Sequence, residues 1–254
     1  MKFTVNRPAF CEALKTVMNV GKSSLLTRIS GIYLYADASK RLLELIGTDV
    51  ITSVIKRIRD ADISMSGEII LPPVVLEILR KTKEESVTIE TDENGALGLS
   101  FGSARYLLVT RPVNEFPKSE LVFPTAYVSV SGLLPLLKHA AFAAETKGDK
   151  RELQGVTLRL TPGISTAEAM NQKRMASAVN RNAADGETEM KLHISAVNIL
   201  FSLPSADKTV YAGTAEQRAV FVCGDTVFST VMMNKTPGWR RNDDGKSTAK
   251  NPKA

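Results

Sequence analysis

Gly21-Lys-Ser-Ser has the ending of a phosphate-binding loop, in which backbone amides cradle phosphate while the lysine and a hydroxyl reach the terminal phosphate and magnesium. That chemistry needs a glycine five positions earlier, where Thr16 stands, and the context is reversed, with a helix leading into the loop. The segment reads as a polar loop capping a helix. Nucleophilic catalysis needs a serine or cysteine with a base and an orienting acid. The only histidines are His139 and His193, and neither has cysteine or carboxylate at metal-ligand spacing. Cys11, beside Phe10 and Leu14, and Cys223, closing Ala219-Val-Phe-Val-Cys, read as buried free thiols. Asp49 and Asp225 sit in turns, where aspartate hydrogen-bonds the local backbone, and Glu84-Glu85 and Asp243-Asp244 read as solvated charge. No catalytic centre, metal site or cofactor is expected.

Cations carry more information. Arg80, Lys81 and Lys83 end one helical pattern; Lys138, His139, Lys147, Lys150 and Arg151 run from another into its following loop; Lys22 follows Gly21. Basic residues at a helix C-terminus complement its dipole. The same geometry lets a long stem reach phosphates without reading bases. The formal charge is +6 from 33 basic and 27 acidic residues, so an anionic partner is expected, nucleic acid first. Much of that excess lies from Lys235 onward, where Lys235, Arg240, Arg241, Lys246, Lys250 and Lys253 face only Asp243 and Asp244.

The elements that must position these residues are legible in the apolar spacing. Phe10, Ala13, Leu14 and Val17 define one face of a helix over 7–20, with Pro8 near its start and Gly21 just past its end. Alternating patterns predict strands at 32–35, 42–46 and 51–58, then a short strand at 68–71. Pro72-Pro73 open a second helix at Val74, and strands follow at 87–91, 97–101 and 105–110, with Asn94-Gly95 as a hairpin turn. Residues 112–124, with three prolines, read as a linker, and 133–144 as an amphipathic helix. At 254 residues with 43% apolar content, one or two domains with their own cores are expected. No apolar run approaches the ~20 residues of a membrane span. The charged N-terminus argues against a signal peptide, so the cytosol is the expected compartment.

The second half echoes the first at an offset of 122–124 residues. Gly31-Ile-Tyr-Leu aligns with Gly155-Val-Thr-Leu, Val74-Val-Leu-Glu-Ile-Leu with Val197-Asn-Ile-Leu-Phe-Ser, and Gly102-Ser-Ala-Arg-Tyr with Gly224-Asp-Thr-Val-Phe. Shared order predicts two copies of one α+β domain, each with two helices on antiparallel sheet.

Met1-Lys-Phe-Thr-Val, Ile29-Ser-Gly31, Gly47-Thr-Asp49, Phe116-Pro117, Leu153-Gln-Gly155 and Pro237-Gly-Trp-Arg-Arg241, in that order, resemble the bacterial DNA polymerase sliding clamp, the beta subunit of the replicative polymerase. The resemblance implies two tandem clamp domains at 1–119 and 125–241, with a polar basic tail at 242–254. It implies a non-enzymatic ring around double-stranded DNA, partnered by DNA polymerase and clamp loader. DNA contacts are then expected at Lys22, Arg80, Lys81, Lys83, Lys138, Lys147, Lys150 and Arg151. Of these, Lys147 and Lys150 fall in the loop that contacts DNA in relatives. A subunit seam is expected at Arg105, Tyr106 and Leu108, and a partial partner-peptide pocket at Leu153, Arg174, Met175 and Arg240. Three segments depart from the family. Pro72-Pro-Val74 and Ser195-Ala-Val197 stand where it often has Pro-Arg-Lys, and Met170-Asn-Gln-Lys-Arg-Met175 stands where it has Thr-Asp-Gly-His-Arg-Leu. The family's subunit has three domains closing as a head-to-tail dimer, so two domains fit either a homotrimer or a piece of a three-domain chain. Alternative readings are a clamp-derived module that captures polymerase or loader without encircling DNA, and an enzyme binding nucleotide at Gly21-Lys22-Ser23.

Overall fold

A computed structural model describes residues 1–21, 31–59, 61–92, 95–117, 122–181, 184–203 and 209–234. The first half runs β1 (Lys2–Asn6), α1 (Arg7–Gly21), β2 (Ile32–Asp37), β3 (Leu42–Thr48), β4 (Thr52–Ile58), β5 (Asp62–Met65), β6 (Gly67–Leu71), α2 (Val74–Lys81), β7 (Ser86–Thr91), β8 (Leu97–Phe101) and β9 (Ala104–Leu108). The second runs β10 (Val128–Val130), α3 (Leu133–Ala141), β11 (Gly155–Leu160), β12 (Ile164–Met170), β13 (Met175–Arg181), β14 (Thr188–His193), α4 (Ile194–Phe201), β15 (Val210–Ala215), β16 (Arg218–Cys223) and β17 (Thr226–Val231).

Helix boundaries follow local chemistry. Asn6 Oδ1 accepts from the Ala9 amide at 3.0 Å and caps α1, whose Phe10, Ala13, Leu14, Val17 and Val20 are buried. That helix includes Gly21 instead of stopping before it. α3 starts after Gly132, which is left-handed (φ 67°) and whose Cβ would meet Asn180 Nδ2 at 2.8 Å. It ends three residues earlier than its apolar pattern suggests, because the amides of Ala143 and Ala144 turn to carbonyls three residues back. β5 has no apolar alternation to announce it: it is an exposed edge strand created by pairing with β1, Phe3 opposite Ile63.

The strands form three antiparallel sheets, ordered β5-β1-β7-β8-β9, β10-β15-β16-β17-β4-β3-β2-β6 and β13-β12-β11-β14. Pairing order repeats between halves: β10-β15-β16-β17 matches β1-β7-β8-β9, and β13-β12-β11-β14 matches β4-β3-β2-β6. In place of β5 the second half has one bridge from Val130 to Ala184. The sequence alignment of the repeats needs one correction. Val74 opens α2 while Val197 is the fourth residue of α4, so the matched helical segments are three residues out of step.

The middle sheet crosses the halves. β17 pairs with β4, Val227 opposite Ile55, Phe228 opposite Val54 and Thr230 opposite Thr52. On its helix-facing side Phe228 and Val54 are fully buried in the main core. On the other side Ile55 and Val227 join Tyr33, Ile46, Ile70, Val220 and Phe116. Phe116 belongs to the expected linker, and its ring stacks on Tyr33 at 5.3 Å, so this part of the linker is a strap across the sheet.

Gly47-Thr-Asp49 sits at the head of this seam. A Cβ on Gly47 would lie 2.2 Å from the Val17 carbonyl oxygen of α1. Thr48 Oγ1 contacts Ser53 Oγ at 2.8 Å, and Asp49 Oδ1 accepts from the Thr52 amide at 2.6 Å. Val50 is held at φ 76°, a conformation costly for a β-branched residue. Arg218, 7% exposed, donates to the Val50 and Ile51 carbonyls at 3.3 and 3.0 Å and to Ser229 Oγ at 3.0 Å. Gly47→Ala is expected to destabilise the fold by about 3 kcal/mol, since a backbone oxygen cannot swing away as a side chain would. Urea unfolding of the variant checks this.

Candidate functional site

The helices are placed by these sheets. α1 lies over β3 and β4, and α3 over β12 and β13. α1 packs on α2, α3 packs on α4, and Asn19 Nδ2 of α1 donates to Ser202 Oγ, just past α4, at 3.2 Å. The result is one row, α2-α1-α4-α3, crossing both halves on one side of the sheets. Its exposed polar residues are Glu12, Lys15 and Asn19 on α1, Glu77, Arg80 and Lys81 on α2, Lys138 and His139 on α3, and Ser195 and Asn198 on α4. The row is weakly basic, with α4 carrying no charge at all. Lys15 was not singled out from sequence, although its place opposite Leu14 and Val17 in the helical pattern puts it on the wet face.

Two loops extend the row. Lys83, in the segment after α2, is exposed. Arg7 at the start of α1 holds that segment: its guanidinium donates to the Leu79 and Glu84 carbonyls at 3.3 and 2.5 Å, and its amide to the Glu85 carbonyl at 2.8 Å. The loop after α3 exposes Lys147, Lys150 and Arg151. It is closed at its base by the Glu145 amide on the Leu153 carbonyl (2.9 Å), and held by Gln154 Nε2 on the Gly148 carbonyl (2.9 Å) and Lys191 Nζ on the Glu152 carbonyl (2.6 Å). Burial lowers the pKa of Lys191, opposed by the charge of Glu152. Among the described residues, none of Arg80, Lys81, Lys83, Lys147, Lys150 and Arg151 sits in an ion pair, whereas strand cations Lys2, Arg57, Arg105 and Arg159 do. Lys138 instead lies over the Phe201 ring at 5.8 Å. Unpaired, exposed cations on one face can meet an extended polyanion through phosphates.

The remaining expected site residues are dispersed. Arg105, Tyr106 and Leu108 lie on β9, with Arg105 Nη2 2.8 Å from Glu90 Oε1 and Tyr106 stacked on Phe101. Arg174 lies over the ring of Phe142, the residue after α3, at 5.5 Å, and Met175 begins β13 with 41% exposure. A groove of about 520 Å³ lined by Glu68, Ile69, Thr91, Val109, Arg111 and Val113 contains none of these pocket residues. Lys22, Arg240, the Pro237-Gly-Trp-Arg-Arg241 segment, Asn94 and the 242–254 tail lie outside the described residues. No group of three His, Cys, Asp or Glu among the described residues is placed to hold a metal ion, and no described helix is long and apolar enough to cross a membrane. Cys11 and Cys223 are buried free thiols; burial raises both pKa values, that of Cys223 to about 11.

His193 is structural. Its Nδ1 accepts from the Ser195 amide at 3.2 Å and caps α4, and its Nε2 lies 3.2 Å from Gln154 Oε1, tying α4 to the Lys147–Arg151 loop. Burial holds its pKa below the usual histidine value. The unfolded chain therefore takes up this proton first, at about pH 6.5, so the stability present above that pH is lost as pH falls through it. His193→Asn, which can cap without titrating, is expected to show a smaller drop in urea midpoint between about pH 7.5 and 5 than the parent chain.

With this geometry in hand, comparison with known proteins is specific. Residues 1–120 match the family described as DNA polymerase III beta subunit, N-terminal domain. The beta sliding clamp of Pseudomonas aeruginosa is 28% identical over 180 residues, covering 69% of this chain and 48% of that protein. That of Synechococcus elongatus is 30% identical over 160 residues, covering 61% and 42%. This chain spans about half the length of these relatives. In fold it is similar to the crystal structure of the Bacillus subtilis DNA polymerase sliding clamp (TM-score 0.85, 19% identity, 94% of this chain and 66% of that one). It is likewise similar to the DNA polymerase III subunit beta from P. aeruginosa (TM-score 0.86, 21% identity, 96% and 69%).

Proposed function

We propose that this chain, whose residues 1–120 match the family described as DNA polymerase III beta subunit, N-terminal domain, is a sliding clamp: a non-catalytic processivity factor that surrounds duplex DNA and tethers a polymerase. In this reading two clamp domains, 1–119 and 125–241, and the basic tail 242–254 work in the cytoplasm with DNA, a polymerase and a clamp loader. Three copies supply six domains to one ring, with β9 and its Arg105, Tyr106 and Leu108 at a subunit seam. The observation that carries the reading is the helix row α2-α1-α4-α3, which crosses both halves with the sheet that joins them behind α1.

A clamp must hold DNA and still slide. Enclosure supplies the hold, so contacts need only be weak, exchangeable and indifferent to sequence. Lys15, Arg80, Lys81, Lys83, Lys138, Lys147, Lys150 and Arg151 suit that role as point charges on flexible stems, and Lys22 would join them. The uncharged α4 face offers a low-friction stretch between them. Leu153, Arg174, Met175 and Arg240 are proposed as part of the polymerase-peptide site.

Retention on DNA tests the reading. The protein is expected to stay on nicked circular duplex and to run off the same DNA once linearised, with no sequence preference. Log K is expected to fall with log salt by about 0.9 per phosphate neutralised. Lys147→Ala with Lys150→Ala should weaken retention and flatten that slope by about 2 without changing the urea midpoint. Equal retention on circular and linear DNA would instead favour a module that captures polymerase or loader without encircling DNA.

A further inference from the structure

The loop after α3 is tied to the start of α4 by one continuous run of hydrogen bonds. Gln154, half-buried, stands at its centre. Its carbonyl accepts from the Ile194 amide at 2.8 Å, its Oε1 lies 3.2 Å from His193 Nε2, and its Nε2 donates to the Gly148 carbonyl at 2.9 Å. At the far end His193 Nδ1 accepts from the Ser195 amide at 3.2 Å and lies 2.7 Å from the Ser195 hydroxyl.

This run has a direction. An Nδ1 that accepts from an amide carries no proton, so the proton of the neutral ring sits on Nε2 and is donated to Gln154 Oε1. With its oxygen held there, the Gln154 amide turns its NH2 toward Gly148. Reversed, it would set donor against donor at the ring and acceptor against acceptor at the loop. One imidazole proton therefore decides whether the loop is held at its middle as well as at its base, where the Glu145 amide meets the Leu153 carbonyl and Lys191 meets the Glu152 carbonyl.

The internal repeat shows that the fold does not require this run. Ile32 opposite Leu71 matches Val156 opposite Leu192, so Ser30 and Pro72 stand in the first half where Gln154 and His193 stand in the second. A proline has no side-chain proton to donate. What the second half holds in this way is Gly148, with Lys147 before it and Lys150 two residues after, both exposed.

We propose that His193 and Gln154 are positioning residues for the DNA contacts of Lys147 and Lys150: the Nε2 proton of His193 orients the Gln154 amide, and that amide, through Gly148, holds the two lysines at one spacing along the phosphate backbone. The DNA part rests on the clamp reading above; the hydrogen-bond run does not. A loop held before DNA arrives gives up little freedom on meeting phosphates, so the two contacts are made together. Neither His193 nor Gln154 needs to reach a phosphate itself.

Two variants of the full chain cut the run at different places. Gln154→Met keeps the length of the side chain without its polar end, and His193→Asn keeps the α4 cap but is too short to reach Gln154. Each is expected to shorten the half-life on nicked circular duplex about three- to tenfold, the worth of one or two hydrogen bonds, and the two together no further. In a Lys147→Ala, Lys150→Ala background neither should shorten it, a result that general destabilisation would not give. Without DNA, hydrogen exchange should quicken over 146–151 and match the parent chain over the helices. Equal shortening in both backgrounds, or none in the parent background, overturns the proposal and leaves the clamp reading in place. A parent chain that leaves circular and linear DNA equally fast overturns the clamp reading and the DNA part of the proposal together; quickened loop exchange in both variants would then uphold the hydrogen-bond run alone.

Discussion

The pairing of β17 with β4 is the constraint on which the rest of the structure depends. It joins residues about 170 positions apart along the chain, and it does so on both faces of one sheet. Inside, Phe228 and Val54 continue the core under the helices; outside, Ile55 and Val227 build a second cluster sealed by Phe116. A seam of this kind resembles the interior of a domain more than a contact between domains, which is commonly smaller and more polar. Because both halves share one sheet, α1 and α4 are brought end to end and the four helices form one face.

The polar part of the seam shows how such a joint is specified. Arg218 is buried, yet its guanidinium reaches the Val50 and Ile51 carbonyls and Ser229, and Thr52 meets Thr230 at 3.1 Å. Desolvating these groups is tolerable because they are paired, and pairing them in any other register would leave buried donors unsatisfied. The strained Val50 is supported on three sides, by Thr48, Asp49 with Thr52, and Arg218. The Gly47-Thr-Asp49 motif is therefore a structural device: close approach of α1, then a turn that hands the chain to the seam strand.

The helix face combines firm placement with weak charge. Arg7 fixes the segment after α2, and Gln154, His193 and Lys191 fix the loop after α3, while the cations those segments carry remain unpaired and exposed.

The sequence by itself determined the local elements. Apolar spacing at 3.6 or 2 residues placed α1, α2 and most strands of the first half within a few residues, and the repeat was visible in shared order despite a three-residue slip at the helices. Cysteine burial and the turn role of Asp49 were also legible, because they depend on immediate neighbours, whereas the Asp225 carboxylate faces Arg59. β5, the Phe116 strap, the Lys15 face and the caps made by Arg7 and His193 were not, since each exists only through a partner far along the chain. The same holds for the strand edges. Thr226–Val231 and Ala104–Leu108 follow similar hairpins, yet among the described residues one is enclosed between two strands and the other pairs on one side alone. Periodicity records which side of a strand faces the core, but not which strand lies beside it. That choice was made by the tertiary structure, where Phe228 finds Val54 and Tyr106 is left exposed.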